Sequence, residues 1–338
     1  MTAEHCVIIG NGPAANSAAS TLRQRAPGTR ITMIGRERLH YYRPHLLPDF
    51  IAGKVSEEEL YVAAPPFQQQ CELKLRLGQS VVATDFRKRE VVLDHKEIVP
   101  FDGLIIATGG RPRIPEPYQV FEGLMHTLKT PADAKRWIEK LDSVDSVLIV
   151  GGDLTSFRVV NALLALEKQV SFILSEDSFW PVPFGEEVCT QASARLKEKG
   201  VEVIECRRIK RIARISEDLL EVETDRKTLN VGILGAFFGL VPDVKFLAGS
   251  GLDIERGILV DEHLKTRFDR VYAAGDCAQV FHPGMRDYWV SIGYHNARTL
   301  GRIAASNLLG GMFAVDVAPE SIFQMDGVAA NTSWWMEF

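Results

Sequence analysis

The sequence predicts an α/β fold built from two doubly wound, nucleotide-sized units. Two observations carry the prediction. A short apolar run ends in a glycine turn and leads into a small-residue helix, and the same pattern returns about 140 residues later. At 338 residues the chain exceeds what one hydrophobic core usually serves, which leaves room for two or three domains.

The elements follow in order. Cys6-Val-Ile-Ile-Gly10 reads as a parallel strand buried on both faces. Gly10-Asn-Gly12-Pro-Ala-Ala15 comes next, then a helix from Ala14 to about Arg25 and a strand from Arg30 to Ile34. Short strands are expected at Glu72 to Arg76, Val81 to Asp85, Glu90 to Asp94 and Leu104 to Ala107, the last running into Thr108-Gly109-Gly110. Arg111-Pro-Arg-Ile-Pro-Glu-Pro117, with its prolines, is a stiff linker and an expected domain boundary. The second unit opens with the strand Ser146 to Val150 and the turn Gly151-Gly-Asp-Leu-Thr-Ser156. A helix to Glu167 and a strand from Val170 to Leu174 complete it. A helix from Glu186 to Lys199, strands near 201–205 and 219–224, and the apolar run 231–240 follow, and Val241-Pro242 suggests a second crossing. Val271-Tyr-Ala-Ala-Gly275-Asp276 is a strand ending on a Gly-Asp turn, and a helix from about Trp289 to Leu309 precedes a short tail.

Composition excludes several classes. With 46% hydrophobic and 25% charged residues, wholesale disorder is ruled out. Acidic residues outnumber basic ones by 44 to 39, which argues against nucleic acid as the main partner. The five cysteines (Cys6, Cys71, Cys189, Cys206, Cys277) show neither Cys-x-x-Cys nor metal-ligand spacing, so no metal site is expected and a reducing cytoplasm suits them. The chain opens without a basic, cleavable apolar leader. Its longest apolar run, Val231 to Pro242, is about half the ~20 residues of a spanning helix, so no transmembrane segment and a cytoplasmic location are expected.

Gly10-x-Gly12-x-x-Ala15 has dinucleotide-fingerprint spacing. The first glycine permits the tight turn, the second lets a pyrophosphate reach backbone N–H groups, and the third position needs a small residue for close packing. Pro13 and Ala14 belong to the same candidate turn. The acid that usually ends the second strand is missing, because that position is Gly35. Glu37 is the nearest substitute, either a ribose anchor or a solvated turn residue.

Taken in order, Gly10 to Ala15, Tyr41-Tyr-Arg-Pro44 with Phe50-Ile-Ala-Gly53, Ala107-Thr-Gly109 and Tyr272-Ala-Ala-Gly-Asp276 resemble the FAD-dependent pyridine nucleotide-disulfide oxidoreductases. The likeness covers roughly residues 5 to 310 and is strongest to the NADH:rubredoxin reductase group and the flavin module of assimilatory nitrite reductases. It implies two Rossmann-like domains, the second inserted into the first. Residues 1–112 plus 246–310 would bind FAD, 113–245 would form the NAD(P)-binding-like domain, and 311–338 a short C-terminal tail. It also implies that Asp276, after Gly275, bonds the ribityl chain, that Ala107, Thr108 and Gly109 line the cofactor, and that Arg43 and Pro44 lie near the isoalloxazine. Val81 and Arg111 complete the candidate cofactor set, and no residue is expected to act as a catalytic acid, base or nucleophile. Asp276 has a plainer alternative as a helix N-cap.

The sequence departs from that family in three places. The stretch Arg43 to Gly53 holds no cysteine, and Cys277 reads as small packing, so disulfide chemistry is not expected. His45 sits either near a flavin or in a surface loop. In the second turn Asp153 replaces the phosphate-admitting glycine and Ser156 the packing one. Two unit charges ~4 Å apart repel by ~4 kcal/mol at an effective dielectric of ~20, so a nicotinamide dinucleotide would be weakened hundreds-fold or more. Arg158 stands where relatives carry Glu, and Ser175-Glu176-Asp177 would favour NADH over NADPH if either bound. The third departure is the tail, where Trp334 and Trp335 either pack on the chain or form a homo- or hetero-oligomer contact. The basic run Arg207-Arg-Ile-Lys-Arg211 is either a solvated strand edge or a docking site.

The expected function is therefore an FAD-dependent oxidoreductase that passes electrons through the flavin to or from a small redox protein or iron–sulfur partner. The alternatives are a conventional NADH-dependent reductase, with NADH a doubtful second cofactor, and a flavin-containing structural or interaction subunit.

Overall fold

The computed structural model describes residues 4–62, 73–174, 186–205, 209–284, 286–291, 293–315, 322–325, 328–331 and 333–335. The predictions on Glu72, Cys71, Cys206, Ser175 to Asp177, and Arg207 and Arg208 lie outside them.

Two parallel sheets dominate. In the first, the strand order is Val271–Ala273, Gly103–Ile106, His5–Ile9, Arg30–Gly35 and Leu73–Leu77. The central strand is buried at every position, which is why Cys6-Val-Ile-Ile carries no polar alternation. In the second sheet the order is Glu202–Val203, Gln169–Leu174, Ser146–Gly151 and Ile233–Phe237. Both sheets start in the middle and wind outward to either side. The crevice at the carboxyl end of the central strand, where the winding reverses, is where such sheets bind ligands.

The repeat extends further than the glycine turns. A three-stranded antiparallel sheet (Val81–Asp85, Glu90–Leu93, Ile98–Pro100) precedes the return strand of the first unit. An equivalent one (Ile209–Ser216, Leu219–Thr224, Thr228–Val231) precedes that of the second. The segments that leave the two units, Gly110–Pro112 and Leu240–Pro242, pair antiparallel with each other. Ile209–Ser216 is an edge strand, with Lys210 and Arg211 exposed and Arg211 3.4 Å from Glu221.

The helix Pro13–Arg25 lies against the helix Tyr294–Leu308 through small side chains. Ala14, Ala15, Ala18, Gly301, Ala304 and Ala305 are buried there, and a Cβ on Gly301 would stand 2.1 Å from the Ala14 carbonyl oxygen. That close approach joins the start of the chain to its last long helix. Proline at the first helical position and arginines in the last turn suit the backbone geometry and the dipole of Pro13–Arg25.

The ends of the expected strands and helices fall within about two residues of the observed ones except at the last helix. The segment expected as a stiff linker, Arg111 to Pro117, instead holds part of the strand Gly110–Pro112 and the start of the helix Glu116–Gln119. Trp289 does not begin a helix. Asp287–Ser291 is a strand paired antiparallel with Ala278–His282, and the helix starts at Tyr294 after Gly293, whose φ is +107°. Trp289 and Val290 are both buried, and cross-strand packing of this pair overrides the helical pattern downstream. Within the tail, Ser333–Trp335 pairs with Trp289–Ser291 as the outer strand of that sheet.

Candidate functional site

A cavity of about 970 Å³ opens at the carboxyl ends of both central strands. It lies at the upper end of the ~300–1,000 Å³ usual for ligand sites, room for a dinucleotide-sized molecule.

One wall is the first glycine turn. A Cβ on Gly10, whose φ is +129°, would fall 2.2 Å from the carbonyl oxygen of Ala107, so only glycine lets the two strand ends meet. A Cβ on Gly12 would meet nothing within 4 Å, so that position faces open space. Gly12 caps the helix Pro13–Arg25 without a side-chain hydrogen bond, and no acidic residue sits in the first turn. Free N–H groups and a positive dipole end therefore face the cavity, the arrangement that receives phosphate. Pro13 and Ala14 line it as well, whereas Ala15 is fully buried behind them and does not.

Glu37 follows the end of the strand Arg30–Gly35. A side chain at Gly35 would be tight, since a Cβ there would lie 3.1 Å from Asn11 and 3.2 Å from Leu77. Glu37 lines the cavity, and Oε2 accepts a hydrogen bond from the Tyr42 hydroxyl at 3.1 Å. Val81, Ala107, Thr108, Gly109 and Arg111 form the next stretch of wall. Pro44 lines it too, but Arg43 does not; its backbone N–H is held by the Leu60 carbonyl at 2.8 Å.

Gly275 and Asp276 close the opposite side. Burial pushes the Asp276 carboxyl upward from the ordinary range, opposed by Lys129 and the Gly293 N–H. Its Oδ1 is buried with no hydrogen-bond partner, and Oδ2 is 3.9 Å from Lys129 Nζ. Three other cavity-lining atoms share that state: Thr108 Oγ1, Gln79 Oε1 and His45 Nδ1. Native proteins seldom leave buried polar atoms unpaired, so these four atoms are available to a polyhydroxylated ligand. The site thus fits a dinucleotide such as FAD on its own chemistry.

His45 is in the cavity and not in a surface loop. Its ring lies 3.9 Å from that of Tyr294, whose hydroxyl accepts from the Tyr41 hydroxyl at 3.2 Å. Burial, then Arg158 and His295, lower the His45 pKa to about 4, so the imidazole is neutral. Arg158 bonds Asp49 at 2.7 Å across the same wall. Cys277 is buried beneath, its Sγ donating to the carbonyls of Ile106 and Ala274 at 3.4 Å, and burial raises its pKa. No cysteine lines the cavity among the described side chains.

The second glycine turn reaches the cavity from the other unit. Gly151 repeats the geometry of Gly10, with φ +125° and a Cβ that would sit 1.9 Å from the Phe237 carbonyl oxygen. Asp153 does what Gly12 does not. Its Oδ1 accepts from the N–H groups of Thr155 and Ser156 at 3.0 and 2.9 Å, and Oδ2 from that of Gly239 at 3.1 Å. Burial lifts its pKa to about 6 in spite of these three donors. Ser156 is fully buried in the packing position and satisfies its hydroxyl on the Asp153 carbonyl at 2.5 Å.

Lys129, Gln79 and Tyr294 also line the cavity, and no sequence motif marks them. Lys129 arrives because His126 bridges to the strand Ile233–Phe237, which carries residues 127–130 over the cavity. The capping box Thr130–Asp133 was a readable signal for the helix that follows, but nothing local shows where the preceding lysine points.

The geometry has counterparts in known proteins. The chain is 29% identical over 317 residues to the ferredoxin–NAD(+) reductase component of the anthranilate 1,2-dioxygenase system of Burkholderia cepacia, covering 92% of this chain and 77% of that one. It is 25% identical over 335 residues to the rubredoxin–NAD(+) reductase of Ectopseudomonas oleovorans, covering 96% and 84%. The fold matches the crystal structure of a covalent putidaredoxin reductase–putidaredoxin complex with a TM-score of 0.82 at 23% identity, over 94% of this chain and 78% of that one. The model of the pyridine nucleotide-disulphide oxidoreductases matches residues 4–297, a span that includes both glycine turns and Asp276. On that match and the two wound units behind it, the chain belongs to the pyridine nucleotide-disulphide oxidoreductase family.

Proposed function

We propose that the chain is a flavoprotein that binds FAD in this cavity and carries electrons to or from a small redox protein of rubredoxin or ferredoxin type. The observation that carries the reading is Asp276 Oδ1, buried and unpartnered, in the same cavity as the open Gly10–Gly12 turn. The relatives' partners, named in ferredoxin and rubredoxin reductases, support the acceptor class.

Each half of the site has a distinct task. The N–H groups at the start of Pro13–Arg25 hold the phosphates, and Gly12 keeps their approach clear. Asp276 accepts from a ligand hydroxyl, with Lys129 holding its charge, and Glu37 receives the ribose. When bound, FAD supplies a ring system that takes electrons as a pair and can release them singly. His45, kept neutral, offers the ring region a hydrogen-bonding nitrogen without a charge. Leu47, Pro48, Leu128 and Phe246 line the cavity with apolar surface and limit water. Cys277, bonded to main-chain carbonyls, takes no part as a thiol relay.

Within this reading, residues 1–112 and 246–310 form the flavin domain, 113–245 the second nucleotide-binding-like domain, and 311–338 a tail. The pairing of Ser333–Trp335 with Trp289–Ser291 favours a tail packed on its own chain over a contact between copies. Among the described residues no helix is long and apolar enough to cross a membrane, and the free, buried Cys6 and Cys277 suit a reducing cytoplasm.

Anaerobic reduction with dithionite, removal of excess reductant and stopped-flow mixing with oxidised rubredoxin or a [2Fe–2S] ferredoxin test the assignment. Reduction of either acceptor is expected. A fully reduced flavin that passes electrons to neither contradicts it.

A further inference from the structure

The molecule contains its own control experiment, because one turn occurs twice with one decisive difference. Gly10 and Gly151 are superposable in role: each has φ near +125 to +129°, and each presses against a carbonyl of the neighbouring return strand, Ala107 or Phe237. Two residues on, the copies diverge. The helix after the first turn is capped by Gly12 with no side-chain bond. The helix Leu154–Ala165 after the second is capped by Asp153, whose carboxylate takes the N–H groups of Thr155, Ser156 and Gly239.

Those N–H groups are the seat that a pyrophosphate occupies when it binds such a turn. The third donor, from Gly239, comes from beyond the end of the strand Ile233–Phe237, so the seat is assembled across the crevice and not by one helix terminus alone. Asp153, Leu154 and Thr155 line the cavity, so the filled seat faces the space a ligand would enter. We propose that Asp153 is an internal occupant of this anion seat and the selectivity residue that excludes pyrophosphate-bearing nicotinamide dinucleotides from the second half of the cavity. Exclusion has two parts: the donors are already used, and a negative charge stands where another would arrive. The backbone is otherwise intact, which makes the block a matter of one side chain. Arg158, one turn further along the same helix and bonded to Asp49, lines the same wall without reaching the seat's donors.

This inference rests on the flavoprotein reading only for the identity of the other half of the cavity, and its test does not require electron transfer. Isothermal titration of the purified full-length protein with NAD⁺ and with ADP-ribose, at pH 7.5 and without any acceptor, compares wild type with Asp153→Gly and Asp153→Ser. Wild type is expected to bind both probes at least a hundredfold more weakly than Asp153→Gly. Asp153→Ser, which keeps a short helix cap without the charge, is expected to fall between them and carries the test if the glycine variant does not fold. Wild-type affinity within tenfold of Asp153→Gly overturns the proposal, and so does the failure of both folded variants to gain binding. A colourless preparation that still shows the expected order would count against the flavin reading alone.

Discussion

Installing the second turn's residue in the first turn, Gly12→Asp, separates cofactor binding from stability. Gly12 has φ −83° and ψ −169°, extended values open to any residue, and its Cβ would meet nothing within 4 Å. The new carboxylate is therefore free to cap the helix Pro13–Arg25 as Asp153 caps its own. Aspartate exceeds glycine as a cap by only a few tenths of a kcal/mol, so the apoprotein should be as stable as wild type or slightly more so. Against a phosphate ~4 Å away, at an effective dielectric of ~20, the same charge costs ~4 kcal/mol, or about a thousandfold in affinity. Titrating apoprotein with FAD by tryptophan fluorescence, beside thermal melts of the cofactor-free forms, reads both quantities. A variant that binds FAD within tenfold of wild type would refute the assignment of this turn to the phosphates.

Three further substitutions test the same geometry. Asp276→Ala removes a charge-assisted bond of ~1.5–3 kcal/mol and should weaken FAD ten- to a hundredfold or more. Because burial raises the Asp276 pKa, the folded apoprotein binds more protons than the unfolded chain above the ordinary carboxylate range and loses stability as pH rises through that window. The alanine variant should lose this slope in cofactor-free melts. Gly10→Ala drives a methyl to within 2.2 Å of the Ala107 carbonyl oxygen at φ +129°, which should cost ~2–5 kcal/mol in denaturant unfolding. His45 has a folded pKa near 4, below its ordinary 6.5, so the unfolded chain binds more protons between these values. Wild type should therefore lose stability relative to His45→Gln as pH falls from 6.5 to 4, and NMR should show no His45 titration above pH 5.5.

What was legible in the sequence is what backbone geometry forces into residue type. Gly10 and Gly151 announce themselves because a methyl would strike a carbonyl, and the buried central strand because His5 is its one polar member, paired with Thr32 on the next strand. Asp276 stands out through the family resemblance that Tyr272-Ala-Ala-Gly-Asp276 carries, although its unpaired oxygen becomes visible only in three dimensions. Lys129, Gln79 and Tyr294 reach the cavity through tertiary pairing, and no local pattern marks them. Trp289 misled because helix-compatible spacing runs on from a strand, and the break at Gly293 depends on a positive φ that composition does not encode. Asp153 was read as a repulsive charge. Its capping of the Thr155 and Ser156 N–H groups is local, whereas the third donor, Gly239, lies 86 residues away and no sequence pattern points to it.

The ultraviolet–visible spectrum of the purified full-length protein, before and after incubation with excess FAD and gel filtration, tests the central claim most directly. The paired bands of an oxidised flavin, near one equivalent per chain, are expected. Protein that emerges without visible absorbance from both preparations would contradict it.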